Sequence, residues 1–453
     1  MGAHPGWFLW QDIRPIGQTR ARTSSPSPNR IPRDGVENPL GNQKSTNPDS
    51  RTLETATECG PTFLEPMPPM GIYETLYAFQ AAFGRPMGDA GTHPWSQGFP
   101  RTVQLPGGPE MPSTIPVTST DLRYPKAWGL PALRERIAGY YRDHYGATVD
   151  AENVMVFAGG RPALIAVLLF LRREIGVRIA STEYTPYYDM LERLDRSYEL
   201  VDSDVENVFF PSSQSYIAPQ SPGRVMMLLS NPCNPTGVTR TDADLDSLVA
   251  AASRPERGLL IDEAYEMFHQ EPVSILRHIS DIDRTNIFVV GAATKGLQSP
   301  GIRIGWVVAS KRHVETLGNF SSFGMGGVSH PSQRYALELL QPARVAQART
   351  AVSAFYGRQR SRYGEAFDKL GLELFTGNGG FYHWCKLPGA RTAQELNQRL
   401  FEDGAAILKG TDCDMRRLGD DSPLRSFFRF SFGPLAPESF DRDLEILTRA
   451  LDT

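Results

Sequence analysis

Short apolar segments that alternate with a helical pattern constrain the fold of this chain more than any other feature of its sequence. Four apolar runs lie at residues 225–230, 259–261, 287–290 and 304–308, and a helical pattern covers residues 242–252. Runs this short and this apolar predict strands that are buried on both faces. Strands joined through helices pair in parallel, so the sequence predicts an α/β fold with a mainly parallel sheet between helices.

Polar residues follow three of these predicted strands. Asp262 comes directly after one run, Asn234 follows another within a few residues, and Lys295 does the same after a third. The carboxyl ends of parallel strands meet at one edge of a sheet, and ligands bind there. We therefore expect these three side chains to converge on a binding site.

The charges of two of these residues restrict what the site can do. An ammonium or a carboxylate at the end of a buried strand must be solvated, paired or used chemically, because burying it alone costs free energy. Taken alone, Lys295 fits a lysine whose amine reaches water. A carboxylate at Asp262 is harder to explain without a partner, which favours a functional site.

A glycine turn gives a candidate anion site in the same region. Residues 154–158 form another apolar run, and Gly159, Gly160, Arg161 and Pro162 follow it. Proline suits the first turn of a helix, where a missing N–H removes no hydrogen bond. Free N–H groups at a helix N-terminus bind anions such as phosphate.

Length and composition restrict the remaining possibilities. The 453 residues suffice for two domains and a tail, and the net charge of −4 gives no nucleic-acid or membrane signal. The longest apolar run is too short to cross a bilayer. Four scattered cysteines indicate a reducing compartment rather than a zinc site or a disulfide framework. We therefore expect a cytoplasmic protein without a metal.

The first 62 residues differ from the rest of the chain. They are rich in Ser, Pro, Thr, Asn and Arg and have little periodic apolar pattern, which predicts disorder. Arginines without acids at residues 13–33 leave organellar targeting open, although prolines there oppose an amphipathic helix. A solvated tail, or an extension before a later start at Met67 or Met70, is the simpler interpretation.

Four sequence blocks, in order, resemble a known family. They are Asn231-Pro-Cys-Asn-Pro-Thr-Gly237, Asp262-Glu-Ala-Tyr265, Thr294-Lys295, and Arg303 eight residues after the lysine. Together they resemble the class I/II aminotransferases of fold type I, of the aspartate and kynurenine aminotransferase kind, which use pyridoxal 5′-phosphate (PLP). The resemblance covers residue 66 to the C-terminus. It implies a large domain with a seven-stranded, mainly parallel sheet and a smaller α+β domain.

The resemblance also implies how the chain is divided and assembled. The predicted parts are a disordered tail at 1–62, an N-terminal arm with part of the small domain at 63–115, a large PLP-binding domain at 116–325, and a small C-terminal domain at 326–453. The family forms homodimers. By resemblance, Tyr124 reaches across the interface to the phosphate of the partner's cofactor.

By the same resemblance, two residues carry the chemistry. Lys295 holds the cofactor as a Schiff base and, once displaced by substrate, moves a proton. Burial beside cationic groups lowers the pKa of an amine, so that it becomes a nucleophile. Asp262 pairs with the pyridine nitrogen and keeps it protonated, which makes the ring an electron sink.

Further cofactor contacts are implied around these two residues. Asn234 and Tyr265 are expected to contact the 3′ oxygen of the cofactor. Arg303 and the backbone of Gly160 and Arg161 are expected to contact its phosphate. Tyr187 is the predicted aromatic that stacks on the pyridine ring, with Tyr184 and Tyr188 as alternatives. The family often has a phosphate-binding serine three residues before the lysine, where this chain has Ala292.

The resemblance identifies the substrate site as well. Gly98, in a loop that resembles the Gly-Gln-Gly-Phe-Pro loop of kynurenine-type enzymes, lets the backbone approach the substrate carboxylate. Arg429 pairs with the α-carboxylate through two hydrogen bonds, with Arg425 as the alternative. Met325 occupies the position of the arginine that selects dicarboxylates. A neutral, aromatic or larger substrate side chain is therefore predicted.

The sequence thus predicts an aminotransferase that passes an amino group between an L-amino acid and a 2-oxo acid. Another PLP reaction on the same scaffold, such as lyase, cyclase or oxidase chemistry, is the alternative, because the same residues serve all of them. A PLP-binding regulator is disfavoured since residues 1–60 lack a helix-turn-helix pattern. A nicotinamide dehydrogenase is disfavoured because no Gly-x-Gly-x-x-Gly follows the first strand.

Overall fold

Seven strands form the central sheet of the protein, whose computed structural model describes residues 64, 67, 69–218 and 223–452. The strands are β1 Val154–Phe157, β2 Gly176–Ala180, β3 Tyr198–Val201, β4 Val225–Ser230, β5 Arg257–Asp262, β6 Ile287–Ala292 and β7 Gly305–Val308. Their order is β1-β7-β6-β5-β4-β2-β3. Strand β7 runs antiparallel to its neighbours β1 and β6, and the other neighbouring pairs are parallel. The predicted α/β fold with a mainly parallel seven-stranded sheet is confirmed.

Helices cover the sheet and continue beyond it. They are α1 Ile72–Phe83, α2 Pro131–Tyr145, α3 Gly160–Phe170, α4 Pro186–Arg193, α5 Ser213–Ile217, α6 Asp242–Ala252, α7 Lys311–Phe320, α8 His330–Leu339, α9 Pro342–Lys369, α10 Ala393–Glu402 and α11 Phe440–Asp452. Local signals set several of their ends. A proline starts α2, and Gly146, with φ of 66°, ends it. A reciprocal pair of hydrogen bonds between Thr392 and Glu395 starts α10.

Successive residues along the strands pack into two separate cores. In β1, Val154 and Val156 belong to one apolar cluster, and Met155 and Phe157 belong to the other. The central strands divide in the same way, which is why their sequences are apolar at nearly every position. Because both faces are covered, polar side chains of these strands are confined to their ends.

A second, smaller sheet lies later in the chain. Its strands are β8 Glu373–Leu374, β9 Tyr382–Lys386, β10 Leu408–Lys409 and β11 Phe427–Ser431, in the antiparallel order β10-β11-β9-β8. Residues Pro66–Thr453 form one compact unit. The predicted boundaries at 115 and 325 therefore stay predictions, and the predicted disorder of residues 1–62 lies outside the described residues.

The described residues contain neither a membrane-spanning helix nor a cluster of metal-ligating side chains. None of the helices there is long and apolar enough to cross a membrane. Nor do three His, Cys, Asp or Glu side chains anywhere in those ranges come together as a metal site.

Candidate active site

A cavity of about 350 Å³ opens at the carboxyl ends of β4, β5 and β6. Eight of the predicted site residues line it: Gly160, Arg161, Tyr187, Asn234, Asp262, Tyr265, Lys295 and Arg303. These residues come from segments that lie far apart in sequence. The convergence that the strand ends predict is therefore present in the structure.

Lys295 is held between an aromatic wall and the backbone of a loop. Its Nζ lies 5.3 Å from the centroid of the Tyr265 ring and donates a hydrogen bond to the carbonyl of Gly98. Burial and the nearby guanidinium of Arg429 together lower the pKa of Lys295 to about 7. Near neutral pH, a large fraction of this amine is therefore uncharged and nucleophilic.

Asp262, at the end of β5, is held by two neutral donors, and the charges of Lys295 and Arg161 lie near enough to lower its pKa. Its carboxylate accepts hydrogen bonds from the backbone N–H of Ala264 at 3.0 Å and from the hydroxyl of Tyr187 at 3.1 Å. Within the described ranges no Lys or Arg forms an ion pair with it. Burial raises the pKa of Asp262, and these two donors oppose the rise. Such a carboxylate fits a ligand that brings its own N–H⁺, as a protonated pyridine does.

The three candidate stacking tyrosines occupy different environments. Tyr187 is 0% exposed and orients Asp262. Tyr184 is half-buried, and its ring meets the ring of Tyr187 edge-on, with 5.3 Å between the ring centroids. Both line the cavity, but Tyr188 does not. Arg161 donates from Nε to the hydroxyl of Tyr184 at 2.8 Å. Stacking by Tyr187 stays a prediction, and the half-buried ring of Tyr184 is the better exposed of the two.

The start of α3 and Arg303 lie together in the wall of the cavity. Gly159 has φ of 106°, and a Cβ at this position would collide with the guanidinium of Arg303. Arg303 itself has φ of 54° and donates from Nη1 to the carbonyl of Pro300 at 2.8 Å. Glycine is thus required here because the arginine passes close to the backbone. A helix N-terminus beside guanidinium groups fits a phosphate.

Arg429, on β11, is the buried arginine of the two candidates for the substrate carboxylate. It donates from Nη1 to Oδ1 of Asn234 and from Nη2 to the carbonyl of Ser96, both at 2.8 Å. Its Nε is buried without a hydrogen-bond partner. Arg425, in contrast, is exposed. An orphaned donor beside the cavity fits a carboxylate ligand.

Gly98 packs against the same group of residues. A Cβ on Gly98 would lie 2.7 Å from the hydroxyl of Tyr382 and 3.8 Å from Nη2 of Arg429. The loop can therefore come this close to the buried arginine only with glycine at position 98.

Sequence reasoning missed two residues of this region. The hydroxyl of Tyr382 lies 2.5 Å from that of Tyr265. The hydroxyl of Ser230 donates to Glu183 at 2.5 Å and accepts from the backbone N–H of Asn234 at 3.1 Å. For Tyr382, the signal in the sequence is its position directly after Gly379-Gly380-Phe381.

Two residues with predicted roles lie away from this cavity. Tyr124 is 94% exposed, and Met325 packs against apolar core residues. Neither lines the cavity. Their predicted roles remain predictions, because that of Tyr124 requires a second copy of the chain.

The α/β fold and a cavity at the strand ends that contains lysine, aspartate and arginine are typical of an enzyme that binds a phosphorylated cofactor. The family model for aminotransferase class I and II matches residues 110–444. The chain belongs to this family. It is an enzyme of the transaminase type, and its cofactor is pyridoxal phosphate.

Individual relatives are distant but cover most of the folded region. The chain is 26% identical over 295 residues to the aspartate/prephenate aminotransferase of Thermus thermophilus, which covers 64% of this chain and 76% of the relative. It is 27% identical over 321 residues to an arginine–pyruvate transaminase of Pseudomonas aeruginosa, with coverage of 67% and 80%. A solved aspartate aminotransferase from Thermus thermophilus with maleate matches at a TM-score of 0.65 and 25% identity, over 73% of this chain and 84% of that one.

Proposed function

We propose that the protein transfers an amino group between an L-amino acid and a 2-oxo acid, with Lys295 as the residue that binds PLP covalently. The observation that carries this proposal is the pairing of two groups in one cavity. Lys295 is an amine whose pKa is lowered to about 7, and Asp262 is a carboxylate that forms no ion pair within the described residues. PLP supplies an electron-poor ring that stabilises negative charge on the substrate.

The protein's own residues bind and orient the reacting groups. Asp262, held by Tyr187, pairs with the ring nitrogen. Asn234 and Tyr265 donate to the 3′ oxygen, while Arg303 and the N-terminus of α3 bind the phosphate. Lys295, once free, accepts the proton from the substrate's α-carbon and returns it to the cofactor side.

Arg429 provides the site for the substrate α-carboxylate. Its contacts with Asn234 and Ser96 fix the guanidinium, so that Nε is available to the carboxylate. The close approach of Gly98 limits the size of this subsite. A carboxylate fixed here next to Lys295 orients the α-hydrogen for removal.

For the side chain of the substrate, we propose a neutral, aromatic or larger group, because Met325 stands where dicarboxylate-specific enzymes have arginine. One observation favours an acidic side chain instead. Arg161 lines the cavity, and within the described residues no carboxylate forms an ion pair with it. The named relatives include both aspartate and arginine–pyruvate enzymes, so a substrate panel must contain both classes.

We propose a homodimer, in which exposed Tyr124 completes the phosphate site of the partner. The prediction of a cytoplasmic location stays a prediction from cysteine use. Sedimentation of the purified protein tests whether it forms a homodimer. A monomer with full activity would contradict the role of Tyr124.

The decisive experiment is an absorbance titration of the purified protein with PLP, with Lys295→Ala as the test variant. Lys386→Ala is the matched control, since Lys386 pairs with Glu373 on the small sheet. We expect a visible band in the wild type and the control that Lys295→Ala lacks. Particular amino acids should bleach the band and yield a 2-oxo acid.

Three results would change the proposal. No lysine-dependent band would overturn the role of Lys295. Release of ammonia or thiol instead of amino transfer would replace transamination with elimination. A rate that is highest with L-aspartate and falls selectively in Arg161→Ala would replace the neutral substrate class with an acidic one.

A further inference from the structure

Tyr382, the first residue of β9, makes a short contact with a residue of the proposed cofactor site. It is fully buried, and its hydroxyl lies 2.5 Å from the hydroxyl of Tyr265, with either oxygen able to donate. Burial raises the pKa of both phenols. Both therefore keep their protons at neutral pH, and the two hydroxyls have two protons to distribute.

The direction of this hydrogen bond follows from counting protons. Each phenol has one proton to donate. If Tyr265 donates to the 3′ oxygen of PLP, as the proposed function requires, its own proton is used there. The short contact must then be donated by Tyr382. A hydroxyl that accepts one hydrogen bond donates its own more strongly, because linked hydrogen bonds polarise each other.

Arg429 connects this pair to the substrate site. Its guanidinium carbon lies 4.1 Å from the centroid of the Tyr382 ring. A cation over the ring face stabilises the negative charge that builds up on the phenol oxygen, and it lowers the pKa of Tyr382 against the effect of burial. Arg429 thus strengthens Tyr382 as a donor while it also holds Asn234.

We propose that Tyr382 is a positioning residue that acts on the cofactor through Tyr265. Through Tyr382, the hydrogen bond from Tyr265 to the cofactor's 3′ oxygen becomes sensitive to Arg429. The inference rests on the proposed function. Tyr382 donates to Tyr265, which strengthens the hydrogen bond from Tyr265 to the 3′ oxygen. When a substrate carboxylate neutralises Arg429, this support weakens, so carboxylate binding is communicated to the cofactor through the two tyrosines.

The test is a pH titration of the visible absorbance band of the PLP-loaded enzyme in wild type, Tyr382→Phe, Tyr265→Phe and the double variant. A hydrogen bond to the 3′ oxygen stabilises its deprotonated form, so losing Tyr382 should raise the pKa of the lysine-linked cofactor. We expect a rise of roughly 0.5 to 1 in Tyr382→Phe and a larger rise in Tyr265→Phe. The double variant should match Tyr265→Phe alone, because Tyr382 acts through Tyr265.

Tyr356→Phe is the matched control. Tyr356 is a buried tyrosine that packs against Phe381, and its hydroxyl bonds the backbone of Arg101 and Gly433 rather than Tyr265. Its removal should leave the pKa of the band unchanged even if the thermal midpoint falls. Should Tyr382→Phe not fold, Tyr382→Met removes the same hydroxyl with an unbranched side chain.

Two outcomes would overturn the inference while leaving the proposed function intact. One is a band in Tyr382→Phe whose pKa equals that of the wild type. The other is a rise in this pKa on Tyr382→Phe that is equally large with and without the Tyr265 hydroxyl. That result would mean that Tyr382 acts independently of Tyr265. Failure of the proposed function looks different, because the wild type would then show no lysine-dependent band.

Discussion

Two acids four residues apart, half-buried Asp262 and buried Glu266, have opposite surroundings. The carboxylate of Glu266 accepts hydrogen bonds from the hydroxyls of Tyr140 and Tyr145. Arg349, from α9, donates to both of those hydroxyls at 2.8 and 2.7 Å. The charge of Glu266 is therefore balanced inside the protein. Asp262 has two neutral donors and an open cavity in front of it.

The difference shows how to separate a structural from a functional buried charge. Burial raises the pKa of both carboxyls, so the shift alone does not distinguish them. What distinguishes them is the partner. Glu266 shares a closed hydrogen-bonded network with Arg349, whereas Asp262 faces an open cavity and forms no ion pair within the described residues. Four expected outcomes test this contrast.

The largest effect is expected from removing the charge at the open site. Asp262→Asn keeps the size of the side chain but cannot pair with a protonated ring nitrogen. We expect kcat for amino transfer to fall by about 10² to 10³. The thermal midpoint of the PLP-free protein should not fall, since no ion pair is lost. Steady-state kinetics and calorimetry measure the two effects, and a stability loss without a rate loss would reverse the assignment.

Removing the charge of Glu266, in the closed network, should instead lower the stability and leave the rate nearly unchanged. Glu266→Gln removes the counter-charge that reaches Arg349 through the two tyrosines. We expect the free energy of unfolding to drop by about 3 kcal/mol, because one member of a buried charge network loses its partner. Urea unfolding of the PLP-free protein measures this. At a temperature where the variant is folded, kcat should stay within a few-fold of wild type, and a 10²-fold loss would show that Glu266 takes part in catalysis.

The third outcome concerns pH. Burial lowers the pKa of Lys295 to about 7, while Asp262 opposes this effect. In the PLP-free protein, the amine is neutral above pH 7 and protonated below it. Its labelling rate by an amine reagent should fall about tenfold for each pH unit below 7. Peptide mass spectrometry over pH 5–9 measures this, with exposed Lys369 as the internal reference. Asp262→Asn should move the midpoint lower, and a midpoint near 10 would contradict the burial of Lys295.

The smallest effect is expected at the phosphate end of the cavity. Ala292 lines this end, where many family members have a serine hydroxyl. Ala292→Ser should tighten PLP binding by a few-fold, consistent with about 1 kcal/mol for one added hydrogen bond, and leave kcat unchanged. Equilibrium titration with PLP measures the change. Weaker binding would indicate that no acceptor lies within reach of this position.

Residues at strand ends could be predicted from sequence because the signal is local. An apolar run followed by Asp262 or Lys295 places the side chain at a known edge of a parallel sheet. The bounds of β4 and α6 agree with the predicted 225–230 and 242–252, since these patterns are local as well. Strand β3 was missed, since Tyr198–Val201 is short and only partly buried. Helix α7 was missed as well.

Local sequence patterns were enough to predict the α/β class, the strand-end positions of Asn234, Asp262 and Lys295, and the family. These follow from patterns within a few residues, or from short blocks in a fixed order. Only the tertiary structure decided which distant segments meet. Strand β7 lies antiparallel between β1 and β6, so the order of strands in the sheet differs from their order along the chain. The contact of Tyr265 with Tyr382 joins residues more than a hundred positions apart. Such contacts depend on strand order and on the packing of whole elements, which no local periodicity encodes.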